Sequence, residues 1–76
     1  MTAAAIAEPR RPLAETLERC RLEHRAGRVE LVLAALRDRA TWRATDGAVP
    51  EPLRAAIREF EDELRRLRGR LRELAD

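Results

Sequence analysis

From Leu53 onward the large apolar residues are Leu53, Ile57, Phe60, Leu64, Leu67, Leu71 and Leu74, separated alternately by four and three positions. A seven-residue repeat of this kind places every member on one stripe of an α-helix, the arrangement of a packed helical seam. It predicts a helix over 51–75 whose stripe is the core of a hairpin.

Upstream, no proline interrupts the chain between Leu13 and Arg43, and Leu, Ala, Arg and Glu dominate. These are strong helix formers, and they predict one long helix over about 12–43. Its apolar pattern is double. At 100° per residue, Leu17, Cys20, His24, Leu31, Ala35 and Trp42 fall within about 40° of Leu13, whereas Leu22, Ala26, Val29, Leu33, Leu36 and Ala40 cluster on the opposite side. A single neighbouring helix covers one stripe only. The stripe from Leu22 to Ala40, about 27 Å long at 1.5 Å per residue and with two alanines that allow close helix approach, is expected to be a partner interface, because a monomer rarely leaves such a strip in water. The alternative is a break at Gly27, which would turn both stripes into a three-helix bundle. The continuous helix is preferred because no residue near Gly27 makes an N-cap.

Gly47, Pro50 and Pro52 fall between the two periodic runs, so 44–50 is expected to be the turn of the hairpin. Residues 1–11, with Pro9 and little apolar content beyond Ile6, read as a flexible N-terminal arm, and 12–76 as one helical hairpin domain.

Charge placement favours an antiparallel neighbour. Residues 51–63 carry five acids against two arginines, and residues 64–76 carry five arginines against two acids. That order suits the helix dipole, offers the pairs Glu61 with Arg65 and Asp62 with Arg66, and opposes an in-register parallel pairing of this segment with itself. Against an antiparallel first helix it sets Arg37, Arg39 and Arg43 near the acidic end, and Glu15, Glu18 and Glu23 near the basic end.

In a chain of 76 residues, 39% of them charged, the large apolar residues make a thin core. A single core of this size seldom supplies more than about 3–5 kcal/mol, so a second copy, giving a helical bundle, or a partner helix is expected. The one cysteine forms no internal disulfide, no apolar run reaches the roughly 20 residues of a membrane span, and the first residues lack the basic and apolar regions of a signal peptide. A cytoplasmic chain without membrane contact is expected.

Cys20 and His24, four apart on one helix face, have the spacing of a thiolate–imidazole pair or of two metal ligands. The chain offers neither a Gly-rich loop nor further ligands beside them, so no catalytic residue, metal or cofactor site, or small-molecule substrate is expected. Arg54, Arg58, Arg65, Arg68 and Arg72 form the one basic stripe with the spacing to contact phosphates of a nucleic acid, although acids are interleaved throughout. In outline, a short hairpin with a Gly/Pro turn resembles the small co-chaperones of type III secretion needle subunits and RNA-binding hairpin dimers of plasmids, in topology and not in residues. The expected function is that of a non-catalytic helical interaction module, an adaptor, chaperone-like or assembly subunit that buries an apolar stripe against another chain. The alternative is a small dimeric nucleic-acid-associated regulator.

Overall fold

The computed structural model describes residues 10–75, with side chains from residue 13 onward. Two helices pack antiparallel as a hairpin: α1 over Arg10–Asp46 and α2 over Glu51–Ala75, joined by the short turn 47–50. Helix α1 has 37 residues and α2 has 25. They are therefore about 55 Å and 37 Å long. Arg19 reaches the Leu74 carbonyl near the end of α2, so the first turns of α1 project beyond it. Most of the expected arm, residues 1–9, lies outside the described residues, while Arg10 and Arg11 already belong to α1.

Helix α1 runs through Gly27 without a break, which removes the three-helix alternative. A Cβ built on Gly27 would meet nothing within 4 Å, so no close contact demands glycine there. The stop comes at Gly47, whose φ of +148° lies in a region that side chains rarely adopt. Thr41 and Thr45 donate their hydroxyls to the carbonyls of Arg37 and Trp42, satisfying acceptors close to the helix end. Pro50 then starts α2, its carbonyl accepting from the N–H groups of both Leu53 and Arg54 at 3.1 Å. Glu51 sits in the first turn of α2 and binds Arg54 and Arg58, each at 2.8 Å. Its carboxylate is favoured there by the positive helix end, and hydrogen bonding to Arg58 lowers its pKa.

The core forms from Ala26, Val29 and Leu33 of α1 and Leu64 of α2, with Ile57, Phe60 and Leu67 packed against them. Val29 and Leu33 are each 1% exposed, and full burial of such a side chain contributes about 1.5–3 kcal/mol. Leu22, Leu36 and Ala40 on α1, and Leu53, Leu71 and Leu74 on α2, are half-buried along the same seam. This corrects the expected role of Leu22, Ala26, Val29, Leu33, Leu36 and Ala40. They are the inner face of α1, and the stripe beginning at Leu13 is the one left outside. The reason is in the residues themselves. The inner stripe keeps the four–three alternation from Leu22 to Ala40 with no polar member, whereas the outer stripe is interrupted by Cys20, His24, Gly27 and Asp38.

Charged side chains straddle the seam on both sides. Arg25 pairs with Glu63 at 2.6 Å, Arg37 with Glu61 at 2.8 Å, Glu18 with Arg70 at 2.9 Å, and Glu30 with Arg68. The complementarity read from the charge blocks is met at Arg37 and Glu18, whereas Arg39, Arg43 and Glu23 make no ion pair with α2 among the described residues. Two local pairs differ from expectation: Glu61 turns to Arg37 across the seam instead of to Arg65, and Asp62 binds Arg65 at 2.7 Å. Cross-seam geometry wins at Glu61 because its side chain lies at the edge of the interface, within reach of α1.

Candidate interaction surface

The side of α1 facing away from α2 holds most of the large apolar side chains that the hairpin leaves in water. Leu13, Leu17, Leu31 and Trp42 are 60%, 51%, 74% and 69% exposed, and Val32, between the outer and inner faces, is 40% exposed. The contrast within one turn is sharp, since Leu31 lies open two residues before Leu33 is sealed. Scattered single exposures are ordinary, but alignment along one face of one helix is the mark of a contact surface.

Cys20 and His24 lie exposed on the same face. No group of three His, Cys, Asp or Glu side chains among the described residues is arranged to hold a metal ion. The hollows along the hairpin are shallow and open. One lies beside Phe60 between Glu59, Glu63 and Arg66, and the other over Leu33 and Leu64 between Arg37, Glu61 and Arg68. Charged side chains wall both, and neither brings a nucleophile together with a base.

The arginine stripe is largely committed within the hairpin. Arg54 and Arg58 bind Glu51, Arg65 binds Asp62, and Arg68 binds Glu30, which leaves Arg72 as the one member without an ion pair among the described residues. Arg70, outside the stripe as predicted, makes a two-sided contact with Glu18 and Glu73 that raises its pKa by hydrogen bonding. Phosphates would have to compete with carboxylates already in place at four of the five positions.

Periodicity defines both stripes of α1, and the one expected against α2 is the one left outside. The signal that separates the two was available: polar interruption on one side, and on the other the flanking charges Arg25, Glu30 and Arg37, whose partners stand at matching levels of α2. The contact of Arg19 with the Leu74 carbonyl had no such signal, because it depends on where α2 ends against α1. No helix of the described residues is long and apolar enough to cross a membrane.

The fold is an all-helical antiparallel hairpin with one apolar face spent on its own core and a second face open. No protein-family model, curated protein or solved structure matches the chain.

Proposed function

We propose that this protein is a non-catalytic helical interaction module that buries the outer face of α1 against another chain. The observation that carries the reading is the exposure of Leu13, Leu17, Leu31 and Trp42 on one face of a helix whose opposite face is already packed. The thin core supports it, since four residues of the described chain are buried and a second layer of helices would cover the half-buried seam or the outer stripe. Cys20 and His24 serve here as part of the contact face and not as reacting groups.

The experiment is sedimentation of the wild-type chain and of a Leu17→Glu, Leu31→Glu double variant, alone and with candidate partner chains. The wild type associates and the variant stays a helical monomer. A wild type that remains monomeric and partnerless, with Leu31 and Trp42 fully hydrated, would overturn the reading. The nucleic-acid alternative takes its place if duplex binding is nanomolar at physiological salt, weakens steeply as salt rises, and depends on Arg72 together with Arg65.

A further inference from the structure

The edges of the outer stripe carry opposite charges. Arg21 and Arg28 lie along one edge and Glu23 along the other, all three exposed and, among the described residues, without an ion pair. Glu30 continues the acidic edge, although it is shared with Arg68. Elsewhere on the hairpin, arginines that border an apolar seam are matched by acids, as Arg25, Arg37 and Arg68 are. At the outer stripe the same arrangement is present with its other half missing.

We infer that the outer face of α1 binds a second copy of this chain, with the two α1 helices parallel and in register from Leu13 to Leu31. The inference rests on the proposed role of that face and names its occupant. In a parallel helix pair the residue on one edge meets the residue five positions later on the opposite edge of its neighbour. Glu23 of each copy therefore meets Arg28 of the other, twice by symmetry. Leu13, Leu17 and Leu31 stack against their own counterparts, and Gly27, with open space around its missing Cβ, lets the backbones approach. Asp38, one helical repeat after Leu31, would face its own copy, so the pairing ends before it and leaves Trp42 outside.

An antiparallel pairing is disfavoured by the same charges. The register that sets Leu13 against Trp42 is centred between Gly27 and Arg28. It joins like edges, bringing Arg28 against Arg28 and Glu23 toward Glu30. A surface of one sign, such as an anionic bilayer or a nucleic acid, attracts the Arg21 and Arg28 edge and repels the Glu23 edge. Only an occupant with acid and base on opposite edges satisfies both, and the second copy carries that pattern.

Cys20 and Trp42 report the geometry directly. In the parallel pair the two Cys20 side chains lie side by side on the contact face. In the antiparallel register they stand about 22 Å apart, the rise of 15 residues, and Trp42 packs on Leu13. The test treats the full chain, at a concentration where sedimentation gives a dimer, with a short bis-maleimide that adds one thiol at each end. The expected result is a two-chain product through Cys20 and Trp42 emission that stays solvent-like on dimerisation. Glu23→Arg and Arg28→Glu should each weaken dimerisation several-fold, and the two together should restore it.

A chain that stays monomeric at all accessible concentrations overturns the inference while leaving the face free for a different partner. A dimer dissolved by Leu17→Glu with Leu31→Glu, yet giving no Cys20 product or shifting Trp42 to the blue, also overturns the parallel pairing and keeps the face as the interface. A dimer that survives those two substitutions overturns the inference and the proposed use of this face together.

Discussion

The two helices of the hairpin solve different problems with much the same residue types. Helix α2 has one apolar stripe, Leu53 to Leu74, and its other sides are arginine and acid. Such a helix is finished once it has one neighbour. Helix α1 has apolar residues on opposite sides, Leu22 to Ala40 inward and Leu13 to Trp42 outward, and one neighbour leaves half of them in water. A helix with a narrow apolar stripe belongs at the edge of an assembly, and one covered on two sides belongs between layers. By that measure the hairpin satisfies α2 and leaves the outer face of α1 uncovered, although it gives both helices the same number of neighbours.

The sharpest way to break this comparison is to exchange the treatment of the two faces of α1. Leu33→Asp places a charge at a position 1% exposed, against Leu64, and is expected to unfold the hairpin, a loss of more than about 3 kcal/mol. Circular dichroism against temperature measures it. Retained wild-type helicity and melting temperature would mean that the seam is not the core. Leu64→Asp is the matching change on α2 and should have the same effect.

Backbone changes separate the turn from the helix. Gly47→Ala forces a Cβ into a positive-φ conformation and should destabilise by about 1 kcal/mol or more, whereas Gly27→Ala in mid-helix should stabilise by about 0.5–1 kcal/mol. The two glycines thus give opposite signs in the same denaturant titration. A stabilising Gly47→Ala would show that the turn does not need its observed backbone.

Acid tests the charged borders. Hydrogen bonds from Arg25 hold the Glu63 pKa below its ordinary value, and those from Arg58 and Arg54 do the same at Glu51. Because the folded pKa is the lower one, this stabilisation is complete above the ordinary carboxylate range and is lost as pH falls through the depressed folded value. Melting temperature should therefore hold level at neutral pH and decline on acidification below about pH 4–5, modestly, since both sites are exposed. Glu63→Gln should flatten part of that decline.

The smallest effect is expected at Leu31. Leu31→Gln removes an apolar side chain that the hairpin does not use, so monomer stability should change by no more than about 0.5 kcal/mol. Set beside Leu33→Asp, two residues away, it sharpens the division between faces. A large loss of stability at Leu31 in a sample shown to be monomeric would erase that division.

Periodicity and charge order in the sequence determined the two helices, the turn at Gly47 and the antiparallel arrangement. The seven-residue repeat of Leu53 to Leu74 admits one buried face, and acid-then-base along α2 suits a neighbour running the other way. Local chemistry suffices for such features because each depends on residues within a few turns. The sequence left open which face of α1 turned inward. Both stripes have helical spacing, and the residues near Gly27 favour continuity without saying which side is covered. Tertiary structure decided it by comparing whole faces: the stripe with no polar member, bordered by Arg25, Glu30 and Arg37, meets α2 with its charges paired, while the stripe holding Cys20, His24 and Asp38 tolerates water. That choice rests on the summed desolvation and pairing along about 30 Å of helix, and no single residue carries it.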